Sequence, residues 1–484
     1  MALTTLLRIG GQARPAASGA TFERRNPLSG DVVTLAAAAT EADAAAAVAA
    51  AADALPAWSG LGPNRRRALL LEAADRLQAR TADFIQRVAA ETGGTAGWAG
   101  FNVMLAAGML REAASLTTHV TGEVIPSDTP GSYAFSLRQP AGVVLGIAPW
   151  NAPVILGVRA LATPLACGNT VVFKASENCP ATHGLIVEVL EEAGLPPGAV
   201  NLVTNAPEDA PALVEALIAN PAVRRVNFTG STRVGRRIAE IAGRHLTPVL
   251  LELGGKAPLV ILDDADLDAA VNAVAFGAFM NQGQICMSTE RVVVDAKVAD
   301  AFVGRLKAKA ASLPAGDPRA GDVVLGPMVS AAAARLVTDL AQDAKDKGAD
   351  VVLAPSVSHR TVVSAAVVDR VTPAMRLYSE ESFGPIVAVI RVSGDEEAIR
   401  VANDSEYGLA AAVFSQNINR ALHVATRINS GICHINGSTV ADEAQMPFGG
   451  TKASGYGRFG GTAGIAEFTD LRWITIETAP HYPF

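Results

Sequence analysis

The amino-acid sequence predicts an α/β fold built on a parallel sheet. Short, uniformly apolar runs rich in β-branched residues alternate with amphipathic helical stretches along most of the 484 residues. Strands that are apolar at every position are typical of a parallel sheet whose two faces are both covered by helices. Hydrophobic residues make up 50% of the chain and charged residues 18%, which excludes a disordered chain and provides apolar material for about three domains.

The first part of the chain predicts helices. Thr40 precedes an alanine-rich stretch that continues to Ala52, and Asp43 follows Thr40 by three residues, a spacing typical of a capped helix start. A second helical run is predicted from residue 63 to about residue 91. The uncharged stretch 140–158 is interrupted by prolines and glycines, so it predicts a buried strand, a turn and a helix start rather than a membrane span.

Predicted strands and helices then alternate. The strands cover residues 142–147, 170–173, 200–204, 225–228, 259–262, 292–294, 386–392 and 411–414. The helices cover residues 180–192, 210–219 and the stretch from 295 to about 313. A GxGxxG match at Gly455, Gly457 and Gly460 has no strand immediately before it and no clear long helix after it. We interpret it as a structural loop rather than a dinucleotide site.

Charge and cysteine usage narrow the function classes. The chain has 40 Lys and Arg residues against 47 Asp and Glu residues, and a net charge of −7 argues against nucleic acid as the main partner. The four cysteines form no CxxC pair, which favours a reducing, cytoplasmic setting. Seven scattered histidines predict no metal site. The first residues lack the features of a signal peptide, and we expect no membrane partner.

One thiol stands in an unusual context. Small and polar residues flank Cys286 in the stretch NQGQICMST, residues 281–289. A packed, inert cysteine is the commoner explanation for a single thiol. However, Glu252 lies 34 residues upstream at the end of an apolar strand and before a glycine turn, where open α/β sheets place site residues. Alone, Glu252 suits a solvated turn, but together the two residues form a candidate nucleophile and base.

Seven short motifs extend this interpretation over nearly the whole chain. They are APWN (148–151), FKASE (173–177), FTGS (228–231), ELGGK (252–256), QIC (284–286), ESFGP (381–385) and PFGG (447–450). In this order and spacing, the chain resembles the NAD(P)-dependent aldehyde dehydrogenase superfamily.

The resemblance implies a domain organisation. We expect a Rossmann-like cofactor domain of residues 1–119 and 141–253, followed by an α/β catalytic domain of residues 254–453. The resemblance adds a small β oligomerisation element of residues 120–140, with a C-terminal strand in residues 454–484. It also implies a homodimer or homotetramer.

The resemblance assigns catalytic roles to three residues. Cys286 would attack the aldehyde carbon as a thiolate. The Asn151 side chain and the Cys286 backbone N–H would hold the oxyanion of the resulting thiohemiacetal. After hydride transfer leaves a thioester, Glu252 would activate water to hydrolyse it. The product is a carboxylic acid.

The resemblance also assigns the cofactor site. Lys174 and Glu177 match positions that hold the adenosine ribose. Ser231 matches a position that contacts the pyrophosphate at a helix start, and Glu381 matches the position that binds the nicotinamide ribose. The negative charge of Glu177 favours NAD, with NADP possible but less favoured. Residues 204–209 depart from the glycine-rich turn of many relatives. The full predicted set is Ile147, Pro149, Trp150, Lys174, Glu177, Gly230, Ser231, Leu253, Glu381 and Phe383.

Within the superfamily, several segments resemble the salicylaldehyde and vanillin dehydrogenases. These segments are residues 149–160, 284–290, 432–437, 442–448 and 481–484, and they imply a small aromatic aldehyde as substrate. The predicted substrate pocket comprises Ala152, Ile155, Arg159, Ile285, Met287 and Phe448.

Arg159 is a departure from the aromatic residue that many relatives have at this position. It is the only charge between Pro140 and Phe173, so we expect it to be buried and partnered. If Asn151 starts a helix, Asn151, Ile155 and Arg159 share one face of it. A structural ion pair and a contact with the substrate ring both remain open for Arg159.

Other functions stay open at this point. A broad-specificity or aliphatic aldehyde dehydrogenase would use the same motifs. A CoA-acylating relative would release the thioester to CoA, which the presence of Glu252 argues against. A thiol esterase would use Cys286 without nicotinamide, and a non-catalytic binding protein would keep the fold alone. Ester turnover without cofactor and NAD reduction with benzaldehyde discriminate between these classes.

Overall fold

Two large, mostly parallel sheets form the framework of the protein. The computed structural model describes residues 2–478 together with Tyr482 and Phe484. In strand Val143–Ile147, alternate residues pack into different hydrophobic clusters: Val144 on one face, and Val143, Leu145 and Ile147 on the other. Both faces of this strand are therefore buried, as its uniformly apolar sequence predicts. The α/β prediction is confirmed.

The first sheet joins strands that follow the amino-terminal helices to two short strands that precede them. In spatial order these are Gly455–Tyr456, Val249–Glu252, Val223–Thr229, Val143–Ile147, Thr170–Lys174, Val200–Val203, Leu7–Ile9 and Gln12–Arg14. The five strands from Val249–Glu252 to Val200–Val203 are parallel. The strands at the two edges pair antiparallel.

The second sheet is made of later segments. In spatial order its strands are Asp350–Leu353, Ala366–Asp369, Ile386–Val392, Thr289–Asp295, Ala257–Ile261, Ala410–Phe414 and Ile432–Ile435. Only the pairing of the first two strands in this order is antiparallel among the described residues. The chain passes from the first sheet to the second between Glu252 and Ala257.

Smaller sheets lie outside this framework. One joins Leu3–Thr5, Val32–Ala37 and Thr21–Arg25, and another joins Thr469–Glu477, Ser132–Pro140 and Glu123–Ile125. Two short antiparallel pairs are Val357–Ser358 with Val362–Val363, and Tyr407–Gly408 with Thr451–Lys452.

Helices connect and cover the sheets. The α-helices of the described chain are Glu41–Ser59, Pro63–Ala79, Thr81–Glu91, Ala96–Leu116, Pro153–Ala166, Pro180–Glu192, Ala210–Ala219, Thr232–Arg244, Leu267–Phe279, Ala296–Ala311, Ala331–Asp346, Arg376–Ser379, Gly394–Asn403, Ile418–Ala425 and Gly461–Glu467. A short 3-10 helix covers Pro207–Asp209, and Met280–Gly283 forms a turn with two left-handed residues. No single helix in the described residues has the length and apolarity to cross a membrane. Only Glu41–Ser59 and Pro63–Ala79, bent by 119° against each other, reach those limits as a pair.

Several sequence predictions agree with these bounds, and three need correction. The Thr40–Asp43 capping box is present, and the helices predicted at 180–192 and 210–219 match their observed bounds. The single run predicted over 63–91 is wrong. The run breaks at Arg80, which is not helical and pairs with Asp83 and Glu192. The prediction missed this break because the helical periodicity continues on both sides of it.

The second correction concerns Asn151, which does not start a helix. The helix begins at Pro153, and the preceding Ala152 has φ −130° and ψ 67°. Proline is favoured at a first helical position because its φ is already helical and its missing N–H is not needed there. The shared helical face therefore applies to Ile155 and Arg159 but not to Asn151.

The third correction concerns the GxGxxG match, which is not only a loop. Gly455–Tyr456 is an edge strand of the first sheet, and Gly455 pairs with Glu252. A helix of only seven residues, Gly461–Glu467, follows the match. The three-domain division stays a prediction, and of the predicted 481–484 segment only Tyr482 and Phe484 lie within the described residues.

Candidate active site

The carboxyl ends of the first sheet's parallel strands bring several predicted site residues together. Ile147 lies opposite Lys174 on one neighbouring strand and opposite Phe228 on the other. Glu252 pairs with Thr229, one residue beyond Phe228. Ligand sites of open α/β sheets lie at this edge because loops there leave a crevice. Predicted cofactor residues and the candidate base therefore share one edge.

Cys286 lies on a tightly held loop before strand Thr289–Asp295. Asn281 and Gln282 both have left-handed backbones, with φ of 48° and 56°, a conformation that costs free energy unless its surroundings hold it. The Gln282 side chain donates to the Pro327 carbonyl at 3.1 Å. Gln284 accepts from a backbone N–H at 3.0 Å. The polar residues that marked the thiol in the sequence thus fix the shape of its loop.

Asn151 is anchored to the same loop. Its Nδ2 donates to the Gln284 carbonyl at 3.0 Å. Its own carbonyl accepts from Trp98 Nε1 at 3.0 Å and from Asn281 Nδ2 at 2.9 Å. A side-chain amide has two N–H donors, so one remains to bind an oxyanion. Sequence reasoning missed Trp98, which has no local signal, whereas Asn281 stands within the quoted thiol motif.

Glu252 is a fully buried carboxyl group. Among the described residues neither of its oxygens has a hydrogen-bond partner, although the Cys286 thiol is close enough to influence its titration. Burial raises the pKa of Glu252 to about 8, while the Arg159 charge opposes this shift. Burial also raises the pKa of the Cys286 thiol, and the Glu252 charge adds to that increase. Such a carboxyl group can exchange protons near neutral pH.

The predicted apolar walls share one cluster. It contains Ala152, Ile155, Ile285, Met287 and Phe448, and the partly buried Cys286 packs against it. These side chains could surround an apolar substrate next to the thiol.

Arg159 is buried and has a partner, as its isolated charge predicts. It forms an ion pair with Asp442, and its guanidinium lies 4.2 Å from the centre of the Phe448 ring. The ion pair supports a structural role, and a direct contact between Arg159 and a substrate ring stays a prediction.

A buried ionic network holds the loop that carries Glu381 and Phe383. Glu290 accepts from Lys256 Nζ at 2.6 Å and from the backbone N–H groups of Ser382 at 2.7 Å and Phe383 at 3.0 Å. Glu381 accepts from the Gly255 N–H at 2.9 Å. Burial raises the pKa of Glu381 to about 7, with Glu290 adding to the shift. Sequence reasoning used Glu290 and Lys256 only as members of motifs and assigned neither of them a role.

The aromatic residues of the predicted cofactor site meet at this loop. The Trp150 and Phe383 rings are edge to face, with centres 5.9 Å apart. Phe383 has a φ of 43° and needs the hydrogen bonds described above to hold that conformation.

The adenosine side of the predicted site contains a further polar cluster. Glu177 pairs with Lys174 and accepts from Asn205 Nδ2 at 3.0 Å. Asn205 lies in the 204–209 segment that departs from the usual glycine-rich turn. Sequence reasoning noted the departure but not this contact.

The pyrophosphate side is built on a helix start. Ser231 caps helix Thr232–Arg244, and a side chain at Gly230 would come within 2.4 Å of the Phe228 ring. Leu253 packs against the first turns of this helix at Gly235. These features fit a dinucleotide. The helix start offers N–H groups to a pyrophosphate, the carboxylates can accept from ribose hydroxyls, and the glycine lets the backbone approach the ligand closely. In the described residues no three His, Cys, Asp or Glu side chains are grouped to hold a metal ion.

Comparisons with known proteins agree with this geometry. The chain is 62% identical over 478 residues to a vanillin dehydrogenase of Pseudomonas fluorescens, covering 99% of both chains. The crystal structure of a salicylaldehyde dehydrogenase from Pseudomonas putida G7 complexed with salicylaldehyde matches with a TM-score of 0.98 and 51% identity, over 100% of both chains. A betaine aldehyde dehydrogenase from Staphylococcus aureus in complex with NAD+ matches with a TM-score of 0.95 and 30% identity, over 99% of this chain and 96% of that one.

The family comparison covers nearly the full length. The sequence profile described as "Aldehyde dehydrogenase family" matches residues 14–474. The resemblance seen in the seven motifs is confirmed, and this chain belongs to the aldehyde dehydrogenase family.

Proposed function

We propose that the protein oxidises a small aromatic aldehyde to its carboxylate with a nicotinamide cofactor. The observation that carries this proposal is the convergence of Cys286, Glu252 and Asn151 beside one apolar cluster. The 62% identity to a vanillin dehydrogenase and the 51% identity to a salicylaldehyde dehydrogenase support an aromatic substrate.

The first step forms a covalent bond between the enzyme and the aldehyde. The Cys286 thiolate, whose proton has passed to solvent, adds to the carbonyl carbon and gives a thiohemiacetal oxyanion. The unused N–H of the Asn151 amide and the backbone N–H of Cys286 stabilise the negative oxygen. Burial makes the ionisation of this thiol costly, and the nearby Arg159 charge reduces that cost.

The second stage oxidises and releases the substrate. Trp150, Glu381 and Phe383 would hold the nicotinamide end of the cofactor, which would supply the hydride acceptor. Loss of hydride from the thiohemiacetal carbon would leave a thioester on Cys286. Glu252 then takes a proton from water, whose oxygen attacks the thioester carbon. The carbon–sulfur bond breaks, the acid leaves, and the proton held by Glu252 passes to the sulfur and restores the Cys286 thiol. The presence of Glu252 favours hydrolysis over transfer to CoA.

The test is a substrate panel with and without the nucleophile. Salicylaldehyde, vanillin, benzaldehyde and aliphatic aldehydes are each assayed with NAD and NADP. We expect the aromatic aldehydes to have the highest kcat/KM, and Cys286→Ala to abolish oxidation while cofactor binding, followed by fluorescence, stays within about twofold. A preference for aliphatic aldehydes would move the proposal to the broad-specificity alternative, and ester turnover without cofactor would support the esterase.

We further propose that NAD is preferred to NADP. The Glu177 carboxylate would accept from a ribose 2′-hydroxyl and repel a 2′-phosphate. Lys174 pairs with Glu177 and would reduce this repulsion without removing the hydrogen-bond acceptor. In Glu177→Gln the ratio of kcat/KM for NAD to that for NADP should fall, while the neighbouring exposed Glu208→Gln leaves it unchanged. An equal loss with both cofactors would contradict the repulsion.

The assembly and cellular location are also proposals. The sheet that joins Thr469–Glu477, Ser132–Pro140 and Glu123–Ile125 has exposed apolar residues, including Val124 and Trp473. These residues support a homodimer or homotetramer. The cysteine usage supports a cytoplasmic location. The division into cofactor, catalytic and oligomerisation parts is supported by the two separate sheets and the third, smaller one.

A further inference from the structure

The two oxygens of the Asp442 carboxylate have different surroundings. One oxygen pairs with the Arg159 guanidinium, and the side chains of this pair are only 6% and 9% exposed. The other oxygen, Oδ1, is buried and makes no well-formed hydrogen bond among the described residues, although the backbone N–H of Glu443 is close enough to lower the pKa of Asp442. Buried acceptors without partners are uncommon because an unmade hydrogen bond costs free energy.

Asp442 lines a small cavity next to the apolar cluster of the candidate active site. The cavity is lined by Arg159, Asp442, Phe448 and Phe459 together with other residues. Phe448 belongs to the apolar cluster against which Cys286 packs. Asp442 and Arg159 also influence the pKa of Glu252 in opposite directions, which places both charges close to the reacting groups.

The ion pair determines which ligand group the free oxygen can accept. Arg159 already engages the other Asp442 oxygen, and its guanidinium lies above the Phe448 ring. A carboxylate oxygen in this position accepts hydrogen bonds and cannot donate them. A ligand must therefore present an O–H or N–H donor to satisfy it. On an aromatic aldehyde that donor is a ring hydroxyl.

We propose that Asp442 accepts a hydrogen bond from a ring hydroxyl of the substrate and so selects hydroxylated aromatic aldehydes over unsubstituted ones. This inference rests on the proposed function, because it assumes an aromatic aldehyde at Cys286. Arg159 is then a positioning residue that holds the Asp442 carboxylate. A methoxy group at the same ring position cannot donate, so it leaves Asp442 without a partner.

The experiment compares matched pairs of substrates. The kcat/KM values of 2-, 3- and 4-hydroxybenzaldehyde are each divided by that of the corresponding methoxybenzaldehyde, with benzaldehyde as reference. A hydrogen bond to a charged group corresponds to about tenfold or more in this ratio. We expect the wild-type enzyme to reach that ratio for at least one ring position.

Variants then test whether Asp442 is the cause. Asp442→Asn and Asp442→Ala should bring the favoured ratio close to one while benzaldehyde is still oxidised. Glu443→Gln, which alters the adjacent exposed carboxylate, is the matched control and should keep the wild-type ratio. If an unpaired Arg159 impairs folding, Arg159→Met combined with Asp442→Leu removes both charges. The double variant should oxidise benzaldehyde without hydroxyl preference.

The outcomes separate two kinds of failure. A hydroxyl preference that persists in the Asp442 variants would overturn the inference, as would an equal loss on hydroxy, methoxy and unsubstituted substrates. A wild-type ratio near one at every ring position would also overturn it while leaving aromatic oxidation intact. If the wild-type enzyme oxidises no aromatic aldehyde, the proposed function itself fails.

Discussion

At the residue scale, the Glu252 side chain combines two properties that suit a base. It is completely buried, and its oxygens are free of hydrogen bonds within the described structure. Burial favours the protonated form, so a modest change in its surroundings can move the proton on or off. A carboxyl group held by two or three hydrogen bonds would instead stay ionised and be a poor base.

Replacing Glu252 with Gln should impair thioester hydrolysis more than hydride transfer. Glutamine keeps the size of the side chain but cannot take a proton from water. We expect a burst of NADH near one per active site, followed by turnover slowed about 100- to 10,000-fold. Stopped-flow absorbance measures the burst. If acylation slows equally and no burst appears, Glu252 acts mainly on the thiol.

The activity should also rise with pH as Glu252 ionises. Only the carboxylate form accepts a proton, and the pKa of Glu252 is raised to about 8, so the active form is scarce below pH 7 and dominant above pH 9. We expect kcat to increase through an apparent pKa near 8. Glu252→Gln is the control, because it should lose this limb. A limb near pH 4.5, or one that survives in the Gln variant, would contradict the assignment.

At the element scale, one strand supports two parts of the site. Strand Thr289–Asp295 follows directly after the Cys286 loop, and its second residue is Glu290. Through Glu290 the strand holds the loop that carries Glu381 and Phe383. The positions of the nucleophile and of the predicted nicotinamide contacts are thereby linked through one rigid element.

Glu290→Gln should loosen this loop. It removes the ionic partner of the buried Lys256, which costs about 3–5 kcal/mol of the free energy of unfolding. The KM for NAD should rise several-fold because the loop loses its anchor. Glu380→Gln, a nearby exposed residue paired with Arg376, is the control for both measurements. A lower unfolding free energy with an unchanged KM would limit Glu290 to a role in stability.

At the scale of the whole molecule, one sheet presents apolar side chains to the outside. Thr469–Glu477 pairs along its full length with Ser132–Pro140. On this sheet Trp473 is 75% exposed and Val124 is 85% exposed. Clustered exposed apolar side chains are typical of protein interfaces. We therefore expect subunit contacts here, where residues 120–140 and the C-terminal strand meet.

Trp473→Glu should weaken the assembly. A buried charge without a partner at a subunit contact is costly. Sedimentation velocity should show the wild-type protein as a dimer or tetramer and the variant shifted towards smaller species. Ile418→Glu, which places a charge at another exposed apolar position, should leave the assembly unchanged. A wild-type monomer, or a variant with the same sedimentation coefficient, would remove this sheet from the interface.

Local patterns in the sequence were sufficient to predict the fold class and to propose the reacting residues. Uniformly apolar runs predicted buried parallel strands. Successive residues of a strand face opposite sides, so an unbroken apolar run has two apolar faces. The Thr40–Asp43 cap is likewise formed by residues three apart. The family motifs are short, contiguous stretches, and so Cys286, Glu252 and Asn151 could be proposed before their geometry was known.

Only the tertiary structure revealed the partners of these residues. Arg159 and Asp442 are 283 positions apart, and Trp98 meets the Asn151 carbonyl from 53 positions away. Glu290 reaches a loop 92 residues further along the chain. Such contacts have no local signature, because they form where separate helices and strands pack. The burial that raises the pKa of Glu252, and the unpaired oxygen of Asp442, arise from the same packing and could not be predicted from the sequence.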